Sequence, residues 1–145
     1  MEIVESVTIF SEMERVWDIF TDLACWNEWC RSVREDAKPE GYFMSEGQRL
    51  SLRIRPCILT LSIKPLVECV VQHDRVVWSA RKFGLFAKHE FLFTNLGGAV
   101  LVTSRERFMG PKPLMMFLPE AKLRNITAGM LSELKEKAES QLPTI

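Results

Sequence analysis

The sequence predicts a single α+β domain in which antiparallel strands lie between short N-terminal helices and one long C-terminal helix. The chain has 145 residues, 47% of them hydrophobic, as is typical of one globular domain. From Gln48 to Phe108 apolar and polar residues alternate, as in half-buried strands. From Pro119 to Leu142 apolar residues recur every three or four positions, as in an amphipathic helix. No repeat or linker divides the sequence, so we expect one domain over residues 1–145.

The N-terminal segment predicts a strand followed by two short helices. Glu2–Phe10 is rich in β-branched residues, which favour a strand. Ser11 followed by Glu14 has the spacing of a capping box, so we expect a helix to begin at Ser11. The segment Leu23–Cys30 then predicts a second short helix or a turn.

The first predicted hairpin comes from the segment Gln48–Arg55 and the strand that follows it. A turn centred on Pro56–Cys57 would give three apolar cross-strand pairs: Ile54 with Leu59, Leu52 with Leu61, and Leu50 with Ile63. The agreement between the turn and the alternation favours this register. The opposite face carries three arginines that we expect in solvent: Arg49, Arg53 and Arg55.

The second predicted hairpin turns at Gly97–Gly98, a two-residue turn signal. Its register places three cross-strand pairs on the inner face: His89 with Glu106, Phe91 with Ser104, and Phe93 with Val102. The preceding strand, from Arg75 to Phe83 with a turn near Gly84–Leu85, adds Trp78 and Ala80 to that face.

The C-terminal helix presents a stripe that we expect to pack on the sheet: Leu123, Ile126, Met130, Leu134 and Ala138. The approach segment Pro111–Leu118 contains two prolines and is too apolar for an ordinary solvent loop. Four methionines either line an adaptable apolar opening between helix and sheet or fill gaps in the core: Met109, Met115, Met116 and Met130.

Composition limits the partners. Lysine and arginine together number 19, as do aspartate and glutamate. Nucleic-acid binding normally requires a basic excess, so we expect no nucleic-acid partner. Cys25, Cys30, Cys57 and Cys69 include no Cys-x-x-Cys pair, and we expect reduced thiols, no metal and no cofactor. The acidic N-terminal segment is unlike a signal peptide and no apolar run is long enough to span a membrane, so we expect a cytoplasmic protein.

Several motifs resemble the START/polyketide-cyclase (SRPBCC, Bet v-like) superfamily over nearly the whole chain. Val16–Asp22 followed by Trp26–Trp29 is similar to its N-terminal signature, and the later strands resemble its bacterial polyketide cyclase/dehydrase-like branch at Trp78, Arg81, His89, Phe91, Phe93 and Glu106–Gly110. The resemblance implies a helix-grip fold, in which a curved antiparallel sheet wraps around the long C-terminal helix and encloses a cavity. Members include lipid carriers, ligand binders, aromatase/cyclases and co-chaperone domains, so the resemblance predicts the fold better than the activity.

His89 and Glu106 form the one acid–base pair that the register places inside. They could anchor a ligand's polar group or act as catalytic acid and base, or they could form a buried ion pair that serves the structure alone. The large aromatic residues likewise could stack on a ligand or fill the core. The predicted ligand-binding set is Trp78, Ala80, His89, Phe91, Phe93, Ser104, Glu106, Met115 and Met130.

Three functions fit this sequence. The first is binding of an apolar small molecule, such as a lipid, isoprenoid or polyketide, in an internal cavity. The second is a polyketide cyclase or aromatase using the same cavity, with His89 and Glu106 as the catalytic candidates; the resemblance implies that such enzymes often have an inward arginine, whereas the readable arginines here point outward. The third is an interaction domain whose cavity is filled by its own side chains.

Overall fold

The computed structural model describes residues 1–35, 43–55 and 60–140. The described residues form eight strands: β1 Glu2–Ile9, β2 Arg34–Glu35, β3 Leu52–Ile54, β4 Leu61–Ile63, β5 Leu66–Val71, β6 Arg75–Lys82, β7 Leu85–Asn95 and β8 Val100–Met109. Four α-helices accompany them: α1 Met13–Thr21, α2 Trp26–Trp29, α3 Lys112–Met115 and α4 Glu120–Glu139. A 3₁₀ turn, Leu23–Cys25, joins α1 to α2.

The strands form two antiparallel sheets. The main sheet has the order β1-β8-β7-β6-β5, and the smaller one has the order β2-β3-β4. An isolated bridge between Arg49 and Leu66 connects the segment before β3 with the start of β5. The predicted α+β class, a curved antiparallel sheet with a long C-terminal helix, is confirmed.

Helix α4 lies against the main sheet through its apolar stripe, as predicted. Leu123, Met130, Leu134 and Ala138 are all buried. Polar contacts fix the helix across β1: Lys135 Nζ donates to the carbonyl of Thr8 at 2.7 Å, and Arg124 pairs with Glu5 at 3.0 Å. Within the described ranges, no helix has both the length and the apolar character needed to cross a membrane.

The hairpin of β7 and β8 has the predicted register. His89 pairs with Glu106, Phe91 with Ser104 and Phe93 with Val102. Gly97 and Gly98 have φ of 75° and 93°, the left-handed conformation that a tight hairpin turn requires and that glycine adopts without strain. The turn between β6 and β7 lies at Phe83 and Gly84, one residue before its predicted position.

The predicted register of β3 and β4 is wrong by two residues. Leu52 pairs with Ile63 and Ile54 with Leu61, whereas a two-residue turn at Pro56–Cys57 would have paired Leu52 with Leu61. Strand β3 ends at Ile54 and β4 begins at Leu61, so the connection is longer than that turn. A shift of two residues keeps every side chain on its predicted face. Pro56, Cys57 and Leu59 lie outside the described residues.

The predicted capping box at Ser11 is also wrong. Helix α1 begins at Met13 with Glu12 as its N-cap, and no side chain caps it. The Ser11 amide instead donates to the carbonyl of Ile9 at 3.0 Å, which holds Ser11 in the turn after β1 and places it one position before the cap. The two short helical segments after β1 are confirmed.

An aromatic cluster closes one end of the space between sheet and helices. Phe20 of α1 is fully buried, with ring centroids 4.8 Å from Phe91, 5.4 Å from Phe93 and 5.8 Å from Trp26. Trp78 stacks parallel to Phe20 at 6.3 Å. These rings fill the interior on one side of Trp78.

Candidate functional site

A cavity of about 410 Å³ lies between the inner face of the main sheet, the smaller sheet and α4. Sites for small molecules in proteins commonly measure about 300–1,000 Å³. The main sheet lines it with alternate residues of β6 and β7: Trp78, Ala80, Lys82, Leu85, Ala87 and His89. Strand β8 adds Glu106 and Phe108.

Two small residues make the room for this cavity. Ala80 and Ala87 are cross-strand partners in the middle of the inner face. They lie between the pair Trp78–His89 and the pair Lys82–Leu85. Because strands rise about 3.3 Å per residue, Trp78 and Lys82 lie about 13 Å apart along β6, which sets the length of the cavity.

The opposite walls are apolar. The smaller sheet contributes Leu52, Ile54, Leu61 and Ile63, and the stripe of α4 contributes Leu123, Ile126 and Met130. Thr127 of α4 adds a hydroxyl to this wall. A ligand in the cavity is therefore surrounded mainly by aliphatic and aromatic carbon.

The polar groups at the inner end form a short chain. Glu106 Oε2 lies 2.6 Å from His89 Nδ1, and His89 Nε2 lies 2.5 Å from the hydroxyl oxygen of Ser104. The register creates this arrangement, because Glu106 is the cross-strand partner of His89 and Ser104 lies two residues along the same face of β8.

Neighbouring rings hold the imidazole of His89 in place. It stacks on Phe91 with centroids 4.1 Å apart and planes inclined by 23°. The ring of Trp78 meets it edge-on at 5.5 Å. His89 is buried, and the Glu106 side chain is 15% exposed. The Glu106 carboxylate therefore faces the cavity in a position that His89 holds fixed.

Comparison with solved structures shows the same architecture in proteins of very different sequence. The Zhui aromatase/cyclase of Streptomyces sp. R1128 superposes with a TM-score of 0.78 at 11% identity, covering 96% of this chain and 93% of that one. Truncated norcoclaurine synthase of Thalictrum flavum gives 0.78 at 9% identity, with 98% and 95% covered. A hypothetical protein of Helicobacter pylori gives 0.76 at 16% identity, with 96% and 88% covered.

No protein-family model and no curated protein sequence matches the chain. The structural likeness nevertheless extends over nearly the full length. This chain has the helix-grip fold that its resemblance to the START/SRPBCC superfamily implied. The resemblance in sequence is thus confirmed at the level of fold, which this superfamily combines with many different activities.

The helix-grip cavity includes five residues of the predicted ligand-binding set: Trp78, Ala80, His89, Glu106 and Met130. Phe91, Phe93 and Ser104 also face inward but lie in the closed core beside the cavity. Met115 packs in a separate cluster with Ile3, Phe108 and Leu123. A role in ligand contact stays a prediction for all nine residues.

Other lining residues were missed, although the alternation contained the signal for several. Lys82 continues the face of Trp78 and Ala80, while Leu85 and Ala87 continue that of His89. Phe108 continues the face of Glu106 in the same way. Extending each inner face to the end of its strand would have found these four residues.

The end of the cavity away from His89 carries exposed aromatic residues. Phe83 and Phe117 line the cavity, yet they are 74% and 83% exposed. Lys82 lies beside them, and its Nζ donates to the carbonyl of Ser62. Met109 and Met116 are also exposed. We expect a ligand to enter the cavity at this end, between Phe83 and Phe117.

Proposed function

We propose that this helix-grip domain binds an apolar small molecule of lipid, isoprenoid or polyketide type in the cavity. The observation that carries the proposal is a space of about 410 Å³ with mostly apolar walls and one polar chain at its inner end. The likeness to an aromatase/cyclase supports a polyketide-like ligand.

Binding would be driven by removal of apolar surface from water. Each Å² of apolar surface buried contributes about 25 cal/mol before the costs of association. Ala80 and Met130, on opposite walls, offer such surface. A molecule entering past Phe83 and Phe117 would bury its leading end beside Trp78 and its trailing end near Lys82.

The direct test is extraction of the protein purified from its own host, followed by mass spectrometry of the extract. We expect an apolar compound to be released in stoichiometric amount. The control is Ala80→Leu, which narrows the cavity and should lose the compound. Equal amounts from both proteins would place the compound elsewhere on the surface, and an empty wild-type protein would contradict the proposal.

Cyclisation of a polyketide is the second candidate, because an acid–base pair faces the cavity. Both nitrogens of His89 are already engaged, by Glu106 and by Ser104. Among the described lining residues Lys82 is the only permanent cation, and no arginine is present. Binding therefore fits these groups better. Suppose that the protein turns over a poly-β-ketone substrate and that Glu106→Gln loses this turnover but still binds the substrate. Cyclisation would then be favoured over simple binding.

A further inference from the structure

We propose that the ligand of this cavity carries a hydroxyl, phenol or enol group at its inner end, and that this group donates a hydrogen bond to Oε1 of Glu106. The inference rests on the proposed function and adds the chemical class of the ligand. It also separates the roles of the two residues, since Glu106 contacts the ligand and His89 holds Glu106.

His89 offers the ligand no free polar atom. Its Nδ1 lies 2.6 Å from Glu106 Oε2, and its Nε2 lies 2.5 Å from the Ser104 hydroxyl. Phe91 stacks on the ring, and Trp78 meets it edge-on. Ser104 is fully buried and lies outside the cavity lining. A ligand therefore reaches this polar chain through Glu106.

Glu106 presents one oxygen that the described residues leave without a hydrogen-bond donor. Oε2 faces His89, whereas Oε1 has no hydrogen-bond partner in the described part of the chain. The contact with Nδ1 occupies Oε2, which leaves Oε1 as the carboxylate oxygen that can accept a hydrogen bond from a ligand. A ligand that fills the cavity would remove this oxygen from water, so a hydrogen-bond donor on the ligand avoids the cost of leaving it unpaired.

Within the described ranges, no neighbouring side chain donates a hydrogen bond to Oε1 of Glu106. Ala80 and Phe108 are apolar neighbours along the strands. Lys82 lies about 13 Å away along β6, and its Nζ already donates to Ser62. The Thr127 hydroxyl on α4 can both donate and accept a hydrogen bond. It can therefore pair with an ether oxygen as well as with an alcohol, and it favours neither ligand.

The ligand class follows from this polarity. An apolar alcohol, phenol or enol satisfies Oε1, whereas an ether of the same size leaves it unpaired. A carboxylate at the inner end would face a second carboxylate. A hydrogen bond to a charged acceptor is strong enough to favour the alcohol by roughly tenfold or more.

The test compares 1-decanol with its isomer nonyl methyl ether, each measured by displacement of the neutral dye Nile red. In the wild-type protein we expect decanol to bind at least roughly tenfold more tightly than the ether. In Glu106→Met we expect the two affinities to become equal, with the affinity for the ether retained. Ser104→Ala is the matched control, since it alters the same polar chain without touching the cavity, and it should keep the preference.

Three results would overturn the inference: equal affinities in the wild-type protein, a preference that persists in Glu106→Met, or a preference lost in Ser104→Ala. If Glu106→Met does not fold, the wild-type ratio decides alone. If the alcohol and the ether bind the wild-type protein equally and Ala80→Leu weakens both, this inference is refuted but the cavity proposal stands. Failure of both compounds to displace the dye would refute both proposals.

Discussion

Ala80→Leu tests whether the cavity is the binding site, because it changes volume without changing charge. Ala80 lies opposite Ala87 in the middle of the inner face, about two residues from both Trp78 and Lys82. A leucine there points into the cavity, which Met130 of α4 also lines. The backbone position is an ordinary strand position, so the substitution itself introduces no strain.

The size of the effect follows from the cavity volume. A leucine has three more carbon atoms than an alanine, each occupying roughly the 30 Å³ of one water molecule, so Ala80→Leu removes about a fifth of the 410 Å³. A ligand that fills the wild-type cavity must then overpack, which costs about 1–3 kcal/mol. This corresponds to a roughly 5- to 150-fold weaker Kd. Without ligand, burial of the new side chain should raise the free energy of unfolding by up to about 2 kcal/mol.

The assay is titration with Nile red, followed by urea unfolding of the same samples. Ala128→Leu is the matched control, because Ala128 is exposed on α4 and does not line the cavity. We expect weaker binding and unchanged or higher stability for Ala80→Leu, and wild-type binding for the control. Equal dissociation constants for Ala80→Leu and the wild-type protein would refute the reasoning.

Three further predictions concern the frame around the cavity. Phe20→Ala should cost about 3–5 kcal/mol in urea unfolding, since Phe20 is fully buried among aromatic rings; a loss under 1 kcal/mol would show that this cluster is loosely packed. Gly110→Ala should lower stability by about 1–3 kcal/mol, because the new Cβ would lie 2.7 Å from Leu85 Cδ2 and 3.3 Å from the Gly84 carbonyl; an unchanged melting temperature would contradict this. Burial raises the pKa of Cys30 to about 12 from 9.0. As the pH rises above 9, the unfolded chain therefore loses the Cys30 proton before the folded chain does. The free energy of unfolding should then fall by up to about 1.4 kcal/mol per pH unit. Cys30→Ala should show a shallower decline above pH 9, and identical slopes would refute the assignment.

The sequence predicted the pairing of β7 with β8 because two independent signals agree there. Gly97–Gly98 specifies a two-residue turn, and the alternation on both strands fits that turn. At β3 and β4 the alternation was correct, but the turn was placed at Pro56–Cys57 on residue type alone. Alternation fixes the face of a side chain, whereas only the turn fixes its partner.

Strands β2 and β5 were missed for physical reasons. In β5 the register shifts between Val67 and Cys69, so a bulge interrupts the alternation on which the prediction depended. Strand β2 has only two residues, Arg34–Glu35, which is too short for any periodic pattern. Its position depends on pairing with β3, a contact distant in sequence.

The candidate site was predictable in part. The register brought His89, Ser104 and Glu106 to one face, and the structure joins them in one hydrogen-bonded chain. The division between cavity and closed core was not predictable, because His89 and Phe91 share that face. Phe20, from a distant segment, packs on Phe91, and Trp26 packs on Phe20 in turn, whereas the space beyond His89 stays open.

A crystal structure of the chain grown with 1-decanol tests the central claim most directly. We predict electron density for the alkyl chain between Ala80 and Met130, with the hydroxyl oxygen within hydrogen-bond distance of Glu106 Oε1. Decanol bound only at the outer surface, or a cavity closed by the protein's own side chains, would contradict the proposal that this domain holds an apolar ligand inside.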